Sequence, residues 1–280
     1  MRAHGNPDVQ GRHKGQQALY VYGFTRAGAV ERFSVPGVSG ADDVRTLKLG
    51  NLAAIYSPLS MEEFLGPEGA DHTQDLEWVA PRAVRHEGVL EEVMQSSPVL
   101  PVSFGAIFSS PRALSKAVDA HRQEISSFLD DITDKEEWAV KVYANAQRLR
   151  AHLERAPEFR QRLQHLPESP GARYFHEKKM QRELDVRSRN EGQSLAAHIR
   201  EELAPGAISV KPLRLAERGI SGRQDDMVLN SAFLVHAGQV QRFTQRVQQL
   251  AARYQPQGLT VEATGPWPPY SFCPSLEERP

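Results

Sequence analysis

His86 and Glu87 stand side by side in "RHEGVLEE" (85–92), the stretch of this chain best suited to chemistry. An imidazole next to a carboxylate can serve as a general acid–base pair or supply two ligands to a metal. At about 100° per residue, Glu87 falls in the middle of the helical stripe that Leu76, Ala83, Leu90 and Met94 define. A carboxyl group there should be partly buried, which raises its pKa unless a partner holds it. The structural alternative is a carboxylate satisfied by an arginine or by backbone N–H groups. No second ligand cluster lies nearby in the pattern, so both residues are read as structural polar groups. His121, on the apolar face of its own helix, is read in the same way, as a satisfied core histidine rather than a ligand.

Two further stretches could bind rather than react. "RYFHEKKMQRELDVRSR" (173–189) holds Arg173, Lys178, Lys179 and Arg182, followed by Arg187 and Arg189. It forms either an electrostatic docking surface or a solvated helix face interlaced with Glu177, Glu183 and Asp185, and the second reading is preferred. "TGPWPPYSF" (264–272) gathers three prolines with Trp267, Tyr270 and Phe272. These aromatics either fold back over the protein as a clasp or present a rigid hot-spot surface to a partner. Prolines lack N–H donors, so they stop sheet pairing beyond the last strand, and the clasp is preferred.

The usual catalytic signatures are missing from the sequence: there is no GxxxxGK[ST] loop, GxGxxG, HExxH or GxSxG elbow. One cysteine, Cys273, rules out an intrachain disulfide and any CxxC site. No catalytic, cofactor-binding or metal-ligating residue is therefore assigned.

The elements that must position these residues follow from periodicity. "ALYVYGFT" (18–25) reads as a strand, and "VRTLKLGNLAAIYSPL" (44–59) as two strands around Gly50 and Asn51. A loop is predicted over 60–73 and a helix from Gln74 to Ser96. "PVLPVSFGAIFSS" (98–110) reads as one buried strand. Ser110 then caps a helix that opens at Pro111 and carries Leu114, Ala117, Val118, His121, Ile125 and Phe128 on one face. "DDITDKEE" (130–137) is the best domain boundary. Beyond it lie a strand at 137–144, helices over 146–203 broken by "PESPG" (167–171), and a strand at 207–215. A turn at 217–226, a strand at 227–236, a helix at 239–254 and a strand at 258–267 complete the chain.

The fold predicted is α+β in two domains. The C-terminal one, 133–273, follows the β-α-β-β-α-β order of a modified ferredoxin-like sandwich. The N-terminal one, 18–132, is α+β, and its topology does not follow from the pattern. Residues 1–17 read as a disordered lead-in and 274–280 as a tail. A length of 280 residues agrees with two cores. Basic and acidic residues number 34 and 35, so nothing in the charge balance calls for nucleic acid or anionic lipid. RNA binding of the kind seen on some ferredoxin-like sheets is disfavoured, because Lys141 stands where a stacking aromatic is needed. No apolar run reaches the roughly 18–20 residues that span a bilayer, and a cytoplasmic location is expected.

Seven stretches in order, "LYVYGFT", "RHEGVLEEVM", "VLPVSFGAIF", "EEWAVKVYA", "GARYFHEKK", "VLNSAFLV" and "TGPWPPYSF", resemble the gas vesicle protein F/L family (GvpF/GvpL) from about residue 18 to 273. The resemblance implies a non-enzymatic cytoplasmic accessory protein of gas vesicle formation. Such a protein would bind the small hydrophobic shell protein and other accessory proteins and assist nucleation or assembly, as an escort or as a minor part of the vesicle. It would need no cofactor, nucleic acid or membrane. The family's two α+β domains, the second a modified ferredoxin fold, agree with the order read above. The alternative is an enzyme or small-molecule sensor using an interdomain cleft near His86 and Glu87. Arg173, Lys178, Lys179, Arg182, Trp267, Tyr270 and Phe272 are the candidate partner-binding residues.

Overall fold

The computed structural model describes residues 17–60, 75–216 and 223–276. The predicted lead-in up to residue 16, most of the loop at 60–73, part of the turn at 217–226 and the last residues of the tail lie outside the described residues. The chain divides into two compact units. One runs up to Asp134 and resumes at Trp267; the other is Lys135–Pro266. Asp134 marks the crossing point with φ 57°, a left-handed conformation that aspartate tolerates better than most residues.

In the first unit, β1 (Gln17–Arg26), β2 (Arg45–Leu49) and β3 (Leu52–Ser60) form an antiparallel sheet with β3 between the other two. Leu49 faces Leu52 across a two-residue turn. Gly50 takes φ 71° there, as the first position of a tight hairpin turn demands. β4 (Val99–Pro101) joins the far side of β1, giving the order β2-β3-β1-β4, and β5 (Ile107–Phe108) pairs with β1 as well. This settles the topology that periodicity left open.

The sequence predicted one strand over 98–110, yet residues 102–106 are irregular. Two features interrupt the pairing. β1 shifts register between Val21 and Gly23, and Gly105 turns the chain at φ 89°. The flanking backbone groups still bond to β1, Val102 N–H to the Tyr22 carbonyl and Val21 N–H to that of Ala106, both at 2.9 Å. Apolar character alone cannot separate such a segment from a strand.

Helix α1 (Leu76–Met94) starts at Asp75, whose carboxylate accepts the Glu77 N–H at 2.9 Å. It buries His86, Val89, Leu90 and Val93 against Tyr20, Tyr22, Ile55, Leu59 and Val99. The stripe therefore differs from the predicted one. Leu76 is 79% exposed, and His86 rather than Glu87 points to the core. Helix α2 (Pro111–Ala120) is capped by the Ser110 hydroxyl, which accepts from Ala113 N–H. It ends at His121, and α3 (Arg122–Ile132) begins immediately. A single helix was predicted across this break. The apolar spacing stays in phase through one non-helical residue, so periodicity could not reveal it. Leu114, Val118, Ile125 and Leu129 are buried, and Arg122 donates to the Leu49 carbonyl at 2.7 Å.

The second unit starts with β6 (Lys135–Ala144) and continues through α4 (Ala146–Glu154), α5 (Pro157–Gln164) and the 34-residue α6 (Pro170–Leu203). Then come β7 (Ser209–Pro212), β8 (Asp226–His236), α7 (Val240–Tyr254) and β9 (Leu259–Trp267). The sheet order is β7-β8-β6-β9, with β8 antiparallel to both β6 and β7. Alternate residues of β6 and β8, including Val140, Val142, Phe233 and Val235, meet Ile199 and Leu203 of α6 and Phe243, Val247 and Leu250 of α7 in one core. Glu202 of α6 pairs with Arg246 and Arg253 of α7.

Close packing constrains β1 where it bends. A Cβ on Gly23 would lie 2.7 Å from the Leu100 carbonyl oxygen, on backbone that cannot swing away. Gly23→Val should lower stability by about 1–3 kcal/mol through overpacking, measured by urea denaturation. Unchanged stability would show that β4 yields without cost.

Candidate functional site

The first unit assembles a chain of polar groups in its core. β1 turns Tyr20 and Tyr22 inward on one face, both with no exposed surface, and their hydroxyls must find partners there. Tyr22 accepts Val38 N–H at 2.7 Å and shares a 2.9 Å bond with the Ser57 hydroxyl. Tyr20 accepts Gly105 N–H at 3.2 Å and lies 2.9 Å from His86 Nδ1. His86 Nε2 lies 3.0 Å from the Tyr270 hydroxyl, which donates to Glu87 Oε1 at 2.9 Å. Tyr270 stands on a short 3-10 turn, Tyr270–Phe272, and its ring packs on this core. Phe104 closes the ring cluster, 6.0 Å from both Tyr20 and His86.

One tautomer of His86 agrees with the bond from Tyr270 to Glu87. Tyr270 has one hydroxyl proton and gives it to Glu87, so its oxygen must accept from His86 Nε2–H. Nδ1 is then the imidazole's acceptor and takes the Tyr20 proton. The sequence of donors is Gly105 N–H, Tyr20 O–H, His86 Nδ1, then His86 Nε2–H, Tyr270 O–H, Glu87. Both imidazole nitrogens thus lie within hydrogen-bond distance of tyrosine hydroxyls, with the backbone of Val102 beside the ring.

The charges follow from burial. Burial pushes His86 down to about 4, partly opposed by a backbone bond at Val102, and the ring is neutral at physiological pH. Both Tyr20 and Tyr270 are pushed well above the ordinary phenol range, first by burial. For Tyr20 the bond from Gly105 works against that rise, while for Tyr270 the nearby Glu87 adds to it. Glu87 is half-buried, and burial raises its carboxyl against the lowering effect of the Tyr270 bond. Its Oε2 is buried without a hydrogen-bond partner. The predicted arginine or backbone partner for Glu87 is replaced by a phenol from the end of the chain.

The other candidate residues are not among the groups of this hydrogen-bond chain. His121 is half-buried at the α2–α3 junction instead of in the core. Trp267 is 39% exposed, and Phe272 is half-buried. Pro268 and Pro269, rather than the tryptophan, are the buried members of the closing motif. Arg173, Lys178, Lys179 and Arg182 are exposed on α6, where Arg173 pairs with Glu177 at 3.0 Å. Sequence reasoning missed Tyr20 and Tyr22 as partners. The available signal was two tyrosines at i and i+2 on a strand too apolar to expose either. Among the described residues, no three His, Cys, Asp or Glu converge as a metal site, and no helix is long and apolar enough to cross a membrane.

Comparison with known proteins covers both units. Residues 18–274 match the family described as gas vesicle synthesis protein GvpL/GvpF. The chain is 26% identical to gas vesicle protein L of Streptomyces sp. (strain CB03234), over 92% of this chain and 94% of the relative. It is 27% identical to gas vesicle protein F1 of Halobacterium salinarum, over 91% and 92%. The crystal structure of GvpF from Anabaena sp. PCC7120 superposes with a TM-score of 0.66 at 18% identity, covering 92% of this chain and 96% of that one. GvpF from Microcystis aeruginosa gives 0.63 at 18% identity, over 92% and 99%. These two establish a shared fold of helices with antiparallel sheets.

Removing the Tyr270 hydroxyl strips partners from both His86 and Glu87. Tyr270→Phe should cost about 1–3 kcal/mol in denaturant unfolding, the penalty for orphaned buried groups. Wild-type stability in this variant would mean that the bonds contribute nothing net. A second measurement is the pH profile of stability. His86 binds its proton less readily in the folded state than in the unfolded one. Its contribution is therefore present above about pH 6.5 and is lost as pH falls toward about 4, on the order of 3 kcal/mol. The raised Glu87 carboxyl acts in the opposite sense, favouring the folded state below its unfolded pKa and losing that contribution as pH rises. His86→Gln should flatten the slope between about pH 4 and 6.5. An unchanged slope would place the titration elsewhere.

Proposed function

The chain belongs to the GvpL/GvpF family of gas vesicle synthesis proteins, and from that premise we propose that it assists gas vesicle formation by binding other vesicle components, the small hydrophobic shell protein among them, without a chemical step. The observation that carries this reading is the extent of the family match, which runs through both units with no foreign domain between residues 18 and 274. A shell protein that builds a gas-facing wall exposes apolar surface and aggregates if released alone. An escort in the cytoplasm that holds such a surface until assembly meets that need.

The alternative of an enzyme or sensor built on His86 and Glu87 draws no support from their geometry. Both imidazole nitrogens are bonded to tyrosine hydroxyls within one core, and the groups that could react hold each other instead.

The test is co-purification of this chain with the shell protein at low and high salt, together with vesicle counts in cells lacking the gene. Loss of vesicles on deletion, and retention of the shell protein at both salts, are the expected results. Normal vesicle numbers without the gene would overturn the proposed role. An intact role without shell-protein association would transfer the binding to other vesicle components.

A further inference from the structure

The outer face of α6 is exposed along much of the helix. Its first buried residue is Met180, so the helix extends for ten residues, 170–179, with no side chain in the core. α5, beside it, buries none. Isolated helical segments of this length are marginal in water. What faces solvent is ordered by side chain. At about 100° per residue, Phe175, Lys179, Arg182, Val186 and Arg189 fall within roughly 40° of one line, opposite the buried Met180, Leu184 and Ser188. Phe175 is 72% exposed and Val186 49%. Tyr174, at 56%, flanks the line with Lys178 over its ring at 5.9 Å. A shallow hollow of about 550 Å³ runs along the same helix from Arg182 to Ser194.

The charges on this helix are unbalanced in a specific way. Three carboxylates in its first half are held by intramolecular arginines: Glu177 by Arg173, Glu183 by Arg162, and Asp185 by Arg150, at 2.6–3.0 Å, while Glu191 borders the hollow further along. The bond from Arg162 holds the exposed Glu183 carboxyl below its usual range. Lys178, Lys179, Arg182 and Arg189 have no carboxylate within ion-pair distance among the described residues. Surplus cations therefore run beside exposed apolar side chains along about 21 Å of helix, the length of about four turns.

We propose that this stripe docks an acidic amphipathic helix of a protein partner. That helix would lay its apolar face on Phe175 and Val186 and its carboxylates against Lys178, Lys179, Arg182 and Arg189. The inference rests on the reading of this protein as one that acts by binding. A polyphosphate partner fits less well, because it would leave Phe175 and Val186 uncovered and bring phosphates toward Glu183 and Asp185. An anionic lipid surface would use the same cations but has no need of their spacing.

The probe is a fluorescent synthetic helix of about five turns, with leucines along one stripe and glutamates on both flanks. Its anisotropy is titrated with the full-length protein and with the variant Lys178→Glu/Lys179→Glu/Arg182→Glu. The wild type should bind the probe, lose affinity as salt rises from about 0.1 to 0.5 M, and bind a scrambled peptide of equal composition roughly tenfold less tightly. The variant should lose roughly tenfold or more while keeping the wild-type melting temperature, since these side chains are exposed. If the triple variant fails to fold, Arg182→Glu alone is compared, with a proportionate loss expected. Equal binding of the scrambled peptide, or no effect of charge reversal, would overturn the proposal. So would tighter binding to duplex DNA or to phosphatidylserine vesicles, or self-association of the protein through these residues. Failure here, with vesicle loss on deletion and shell-protein retention intact, would remove this surface and leave the proposed role standing.

Discussion

The first unit depends on the satisfaction of buried hydroxyls. β1 sends two tyrosines into a core with no water-exposed surface, and each unpaired hydroxyl there would cost about as much as several good contacts supply. β3 answers with Ser57, the connection between β1 and β2 with the Val38 N–H, and the helix with His86. Once an imidazole is buried, its second nitrogen needs a partner too, and Tyr270 supplies one. The end of the chain is thus drawn into the core by a need that begins at its first strand. The dry surroundings keep His86 neutral, and neutrality gives it one donor and one acceptor for two tyrosines.

How much of this was legible in the sequence differs by element. Ser110 before Pro111, the Gly50–Asn51 turn and the Phe243-Val247-Leu250-Tyr254 spacing each gave a correct element, because the signal is local and chemical. The run at 98–110 misled because apolar content says where a segment lies, not whether it pairs. Glu87 was placed at the centre of its stripe because the stripe was drawn through Leu76, Ala83, Leu90 and Met94, whereas the buried side chains, His86, Val89, Leu90 and Val93, centre roughly 75° further round the helix. For His86, the type and the burial were legible, but the partners lie 66 and 184 residues away, beyond any periodicity.

The closing motif shows how composition can point to the right place for the wrong atoms. Its prolines and aromatics marked a structural segment. The tryptophan, the largest apolar group, stays 39% exposed, while Pro268 and Pro269 are buried and Tyr270 acts through its hydroxyl. Sequence reading also placed the segment through residue 273 with the C-terminal domain. The structure groups it, from Trp267 on, with the first unit, since its hydrogen-bond partners are there. The charged helix shows the reverse case. Its ion pairs were foreseen as a class, but which cations remain unpaired depends on Arg150 and Arg162 reaching in from α4 and α5.

The return of the chain at Trp267 also sets an order of synthesis. The second unit is one continuous stretch, Lys135–Pro266, and can complete its core as soon as β9 has left the ribosome. The first unit emerges earlier but lacks the hydroxyl that His86 and Glu87 share until Tyr270 follows. The part made first is therefore the part finished last. A nascent chain stalled anywhere before Tyr270 carries an incomplete N-terminal core, however much of the protein has already been made.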